Sequence, residues 1–139
     1  MKWIAATLVG IAVLLAGLAV FVRLAPVDPE RWHQMPGTVA HRDLQGGAMR
    51  VVTAGENGLK RLDAIIRKTP RTRVVAGSVE QGMVTYETRS AMFGFPDYTT
   101  VRRTGSRIEI FGRLRFGLSD LGVNAARIES WLKAFTQRG

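Results

Sequence analysis

Ser119 is the residue whose setting most suggests chemistry. It lies in Gly117-Leu118-Ser119-Asp120-Leu121-Gly122, between a strand-like and a helix-like stretch, where a sharp turn can expose a serine nucleophile. The spacing is Gly-x-Ser-x-x-Gly, whereas the nucleophile elbow is Gly-x-Ser-x-Gly. A serine nucleophile also needs a base, and no His follows Ser119. Ser119 or Asp120 reads instead as the N-cap of a terminal helix, accepting from an unpaired N–H. His33 and His41 stand eight residues apart near Asp28, Glu30 and Asp43, in an irregular region. They read as solvated residues rather than metal ligands. Glu87 and Glu109 read as ion-pair partners of Arg89 and Arg113 on a sheet face rather than as an acid–base pair. There is no P-loop, dinucleotide fingerprint or zincin motif, and no cofactor is expected.

Positive charge remains. The 139 residues carry 20 Lys and Arg against 11 Asp and Glu, and 16 of the 20 are Arg. There is no Cys, which excludes disulfides, thiolate metal sites and a cysteine nucleophile. A content of 46% hydrophobic and 22% charged residues excludes a disordered or collagen-like chain. Alternation in the last strand-like stretch points Ile108, Ile110, Leu114 and Phe116 one way and Arg107, Glu109, Phe111, Arg113 and Arg115 the other. With Arg89 and Arg102, these Arg residues would crowd one polar sheet face. The Arg fork takes carboxylate and phosphate, so an uncovered face would meet anionic lipid, a phosphorylated glycan or an acidic protein. The alternative is a solvated face partly neutralised by Glu87 and Glu109. Tyr98 and Phe111 on that face have the character of a single-strand RNA platform. The membrane segment and the missing signature of such platforms argue against it, and no nucleic-acid partner is expected.

These groups need elements to hold them. Trp3 to Val22 is a run of 20 residues without a charge, bracketed by Lys2 and Arg23. As a helix it is about 30 Å long, the thickness of a hydrocarbon core. Signal-peptide cores are shorter, and Arg23-Leu24-Ala25 before Pro26 is a poor cleavage site. Residues 1–23 therefore read as an uncleaved anchor. Lys2 and the α-amine favour a cytoplasmic N-terminus, with the domain on the other side. Small residues on this helix permit a helix–helix contact. Residues 24–36, with Pro26, Pro29 and Pro36, read as an extended stalk. Residues 37–139 read as a single α+β domain. In it a possible short strand, Met49 to Thr53, precedes a helix with Leu59, Leu62, Ile65 and Ile66 on one face, stopped by Pro70. An antiparallel sheet of about four strands follows: 73–79, 83–90, 98–104 and 107–116. A second helix, from about Asp120 to Gln137, carries Leu121, Ala125, Ile128, Leu132 and Phe135 as its apolar stripe. Asp120, Asn124, Arg127 and Trp131 form a neighbouring stripe. There Asp120 either pairs with Arg115 or Arg127, or leaves those groups free for an anion.

Two stretches carry a likeness: Arg89-Ser90-Ala91-Met92-Phe93-Gly94-Phe95-Pro96-Asp97-Tyr98-Thr99-Thr100-Val101-Arg102, and Arg113 through Ile128. The second has the pattern Arg-x-Arg-x-Gly-x-Ser-Asp-x-Gly-x-Asn-x-x-Arg-Ile. In these the sequence resembles the bacterial and plastid family known as domain of unknown function 1499. The resemblance implies a membrane-associated domain and no particular activity. With the anchor, it implies a single-pass protein of a bacterial inner membrane, its domain periplasmic. The expected function is a non-catalytic binding or assembly module with a basic surface. The alternatives are a metal-independent enzyme acting on an anionic envelope substrate, or a structural subunit of a membrane complex. The candidate network is Arg89, Arg102, Arg113, Arg115, Ser119, Asp120, Asn124 and Arg127.

Overall fold

The computed structural model describes residues 1–137. Its first element, α1 (Lys2–Leu24), is long and apolar enough to cross a membrane, and Val22 is its one buried residue. A four-residue helix, α2 (Pro29–Trp32), follows, with Asp28 as N-cap accepting from the Arg31 N–H and Pro29 in the first turn. The remaining elements are β1 (Arg42–Leu44), β2 (Gly47–Thr53), α3 (Gly58–Ile66), β3 (Thr72–Ser78), β4 (Met83–Arg89), β5 (Pro96–Thr104), β6 (Arg107–Leu114) and α4 (Val123–Gln137).

The domain is α+β, with one antiparallel sheet in the order β1-β2-β6-β5-β4-β3. It has six strands rather than about four. The stretch from Met49 is a full strand that pairs with β6 along its whole length, and β1 is a three-residue hairpin partner for it. Short turns such as Gly105-Ser106 connect β3 to β6 as a meander, and α3 carries the chain across from β2 to β3.

Both α3 and α4 pack on one face of the sheet. Alternation sends Val84, Tyr86, Val101, Ile108 and Ile110 to that face, where Leu59, Leu62, Ile66, Ile128, Trp131 and Phe135 meet them in one core. Trp131 belongs to this core and donates from Nε1 to Thr69 Oγ1 at 2.8 Å, so it does not extend a polar stripe. Helix α4 begins at Val123, three residues later than the sequence suggests. Leu121 and Gly122 have φ of 52° and 79°, outside helical space. Leu121 consequently leaves the apolar stripe and stands 91% exposed.

Candidate functional site

The opposite, polar face is organised in rows. Antiparallel register sets Arg113, Tyr98, Glu87 and Arg73 side by side across β6, β5, β4 and β3. The neighbouring row is Met49, Phe111, Thr100, Thr85 and Ala76. Glu87 is 1% exposed and takes Nε bonds from both Arg73 at 3.1 Å and Arg89 at 2.9 Å. Its other oxygen accepts from the Tyr98 hydroxyl at 3.0 Å. Burial alone would raise the Glu87 carboxyl, but the two guanidinium groups outweigh it and hold it below its ordinary range.

This face is not open. Of residues 24–36, expected as an extended stalk, Leu24 ends α1 and 26–36 lie across this face as a strap. Trp32 stacks on Tyr98 with ring centroids 4.2 Å apart and planes 17° from parallel. The Trp32 carbonyl accepts from Arg113 and from Thr100, and His33 Nδ1 bonds Thr85 Oγ1 at 2.8 Å. His33 is therefore fixed on the sheet rather than solvated. Arg115 reaches the Pro26 carbonyl at 2.8 Å. Arg113 has no carboxylate partner among the described residues, and burial brings its guanidinium down to about 10. Arg113 and Arg115 thus hold the strap in place of facing an external anion. Arg102 is bonded by Glu109 at 2.6 Å, towards the far end of the sheet, and Arg107 lies 3.9 Å from the same carboxylate. The pairing of Glu109 with Arg113 does not form.

Ser119, Asp120, Asn124 and Arg127 form the junction between β6 and α4. Asp120 accepts from the backbone N–H of Gly122 at 3.0 Å and of Asn124 at 2.9 Å, and from the Asn124 amide at 2.9 Å. Burial opposes its ionisation, but these donors prevail and hold its carboxyl below the ordinary value. Asp120 pairs with neither Arg115 nor Arg127. Arg127 donates instead to Asp97 at 3.2 Å and to Asn124 Oδ1 at 3.0 Å. Ser119 Oγ accepts from the Leu121 N–H at 3.2 Å. Asp120 is therefore the principal cap. Asp120→Ala is expected to cost about 0.5–2 kcal/mol in chemical denaturation, and Ser119→Ala less. A larger loss from Ser119→Ala would reverse the assignment.

A second group of guanidinium side chains lies elsewhere, around an open pocket. A pocket of about 620 Å³ lies beside the C-terminal end of α1, and Arg23, Arg71, Arg73, Arg89, Glu87 and Ser90 are among the residues lining it. Arg89 fixes this corner, donating to the carbonyls of Val22 at 3.2 Å and Gly94 at 3.0 Å. Arg71 Nε donates to the Arg89 carbonyl at 3.0 Å, and Arg23 to the Met92 carbonyl at 3.1 Å. Among the described residues neither Arg23 nor Arg71 has a carboxylate partner. Arg73 sits on the sheet's edge strand with its side chain 61% exposed. Four guanidinium groups thus border a cavity with one carboxylate, already shared by Arg73 and Arg89. Of these four, only Arg89 stands in the sequence-derived network. The legible signal for two of the others was Pro70-Arg71-Thr72-Arg73, a basic pair directly after a helix stop. A second pocket of about 240 Å³ at the strand–helix junction includes Asp97, Ser119, Asp120 and Arg127, with both carboxylates internally bonded. No group of three or more His, Cys, Asp or Glu placed to hold a metal occurs among the described residues.

Among curated proteins, no match to this chain is found. The model of a family described as protein of unknown function (DUF1499) matches residues 25–135, which take in the strap, the sheet and nearly all of α4, and the chain belongs to that family.

Proposed function

We propose that this protein is a single-pass, membrane-anchored binding module that takes an anionic, phosphate-bearing group in the pocket between Arg23, Arg71, Arg73 and Arg89. The observation that carries this reading is the placement of those four guanidinium groups around an open cavity at the end of α1. A helix of this length and apolarity ends where headgroup phosphates lie. Arg forks match phosphate oxygens two at a time, and Arg71 and Arg73 have donors left over. The module acts by binding, and the domain stands outside the cytoplasm, in keeping with Lys2 and the α-amine at the other end of the helix. A carboxy-terminal reporter fusion tests that side.

The site is tested on the full chain, because Val22 is buried against the domain and Arg23 lines the pocket. Inorganic phosphate should raise the melting temperature of the detergent-solubilised protein, and salt should weaken the effect, since exposed charge is screened over about 8–10 Å. Arg71→Gln with Arg73→Gln should remove most of the phosphate response, read as the shift that phosphate adds to each protein's own unliganded melting temperature, because Arg73→Gln also takes one partner from Glu87. In nanodiscs, stabilisation by phosphatidylglycerol over phosphatidylcholine assigns the phosphate to a lipid headgroup. A response to inorganic phosphate without that lipid preference assigns it to a phosphorylated glycan or other non-lipid source. No phosphate response, or one indifferent to both substitutions, rejects the pocket as an anion site.

A further inference from the structure

The same end of the domain carries a second feature that the pocket does not use. Antiparallel register gathers four connections at the end of the sheet where α1 arrives. These are the turns at 45–46, 70–71 and 90–95 and the long junction at 115–122. Phe21 of α1 touches Phe116 edge-on with centroids 6.3 Å apart, and Phe116 in turn meets Phe95 at 6.5 Å. Arg23 bonds the Met92 carbonyl. These loops therefore reach down to the last turn of α1, the turn that lies at the interface if the helix spans a hydrocarbon core of about 30 Å.

Apolar exposure is confined to this end. Beyond residues 1–24, the large hydrophobic side chains left exposed among the described residues are Met92 at 78%, Leu118 at 87%, Leu121 at 91% and Val123 at 48%. Met92 belongs to the β4–β5 loop, Leu118 and Leu121 to the β6–α4 junction, and Val123 opens α4. Leu121 holds a left-handed backbone, φ 52°, a conformation that Gly or Asn adopts at far less strain. A branched apolar residue kept both strained and bare gains nothing from water. Arg23, Arg71, Arg89 and Arg115 stand at the α1 end, whereas at the opposite end Glu56 and Glu80 lie in turns rich in Gly, Asn, Gln and Ser, beside Arg102, Arg103 and Arg107.

We infer that Met92, Leu118 and Leu121 dip into the lipid leaflet from which α1 emerges, so that the domain lies on the bilayer surface instead of standing clear of it on a stalk. The occupant of this apolar edge is lipid because the edge is continuous with α1 at Phe21 and Phe116, and because basic groups flank it. Side chains of this kind bury at the boundary between headgroups and acyl chains, where Arg meets phosphate. The strap reinforces this placement. With residues 26–36 bound along the sheet, little free chain remains between α1 and the domain to hold them apart.

This inference rests on the reading of α1 as membrane-spanning and is independent of the anion pocket. The chain has no Cys, so single cysteines can be introduced without background. Met92→Cys, Leu118→Cys and Leu121→Cys, each carrying an environment-sensitive fluorophore, are placed in full-length protein in nanodiscs of equal parts phosphatidylcholine and phosphatidylglycerol. Leu14→Cys reports the anchor, and Ser106→Cys the far end of the sheet. Lipids spin-labelled at shallow depth should quench the three loop positions several-fold more than Ser106→Cys, with blue-shifted emission. Lipids labelled deep in the acyl chain should quench Leu14→Cys. Loop positions as unquenched as Ser106→Cys, beside a quenched Leu14→Cys, would overturn the inference and leave the anchor standing. An unquenched Leu14→Cys would overturn both. Blue-shifted loops that lipid labels fail to quench would mean that protein, not lipid, covers this edge, and would also overturn it.

Discussion

Glu87→Ala is expected to cost the domain about 3–5 kcal/mol, the usual loss when one partner of a buried ion pair is deleted. Glu87 is 1% exposed, and its two oxygens take donors from Arg73, Arg89 and the Tyr98 hydroxyl. Tyr98 is fully buried and Arg89 is only 21% exposed, so neither finds water easily once the carboxylate is gone. Arg89 also holds the carbonyls of Val22 and Gly94, so its release loosens the end of α1 and one wall of the pocket. Glu87→Gln keeps the volume and one acceptor and should lose less. The measurement is denaturant unfolding of the full chain in detergent; a loss below about 1 kcal/mol for Glu87→Ala would show that the cluster reorganises around water. The pH dependence has a definite sign. The folded Glu87 carboxyl lies below its ordinary value, so its contribution is fully present above the unfolded value of about 4.3. It is lost as pH falls through the lower, folded value. Glu87→Gln should therefore flatten the acid limb of the stability curve.

Much of this architecture was legible in the residues. Alternation in β6 separates Ile108 and Ile110, which enter the core, from Glu109, Phe111 and Arg113, which do not. The stripe Leu59, Leu62, Ile65 and Ile66 is the buried face of α3. What escaped depends on long-range pairing. Three residues of β1 carry no readable period, and the strand exists because Arg42 to Leu44 find Met49 to Gly47 across a tight turn. The Glu109–Arg113 pairing fails on strand geometry alone. Residues four apart on one strand are separated by roughly 13 Å, whereas Arg102 is directly opposite Glu109 in register. Pro26, Pro29 and Pro36 suggested a spacer, but Pro29 follows Asp28 as the first residue of a short helix. Trp32 was the informative residue there, because a large aromatic has little reason to sit in a solvated tether. The site moved for the same reason. Composition pointed to an Arg-rich sheet face, but not to the chain's own strap lying across it. The groups left open, Arg71 and Arg73, belong to an edge strand, and Arg23 reads first as the end of an anchor.

Removing the clasp of that strap is expected to have the second large effect. Arg113→Ala should cost about 2–4 kcal/mol, since hydrogen bonds to a charged donor contribute about 1.5–3 kcal/mol each and the buried charge itself offsets part of the gain. Arg113 donates to Thr100 Oγ1 at 2.8 Å, to the Phe111 carbonyl at 3.1 Å and to the Trp32 carbonyl. Its guanidinium lies 4.6 Å from the Phe111 ring centroid and 5.5 Å from that of Trp32, so it is stacked as well as bonded. Arg113→Lys keeps the charge but has no planar fork for several acceptors at once, and should lose most of the same stability. Arg113→Met keeps the bulk and removes the cost of a buried charge without a counter-ion, so it should fall between wild type and Ala. Strap release has its own readout. Trypsin cutting after Arg31 separates α1 from the sheet, and in the native fold this bond lies within α2, where Trp32 is stacked on Tyr98. Arg113→Ala should be cut there faster than wild type under native conditions, while the β5–β6 hairpin at Arg103 and Arg107 keeps its wild-type rate. Faster cutting at both places would mean global destabilisation without selective release. Unchanged cutting together with unchanged melting would mean that the Trp32–Tyr98 stack alone holds the strap.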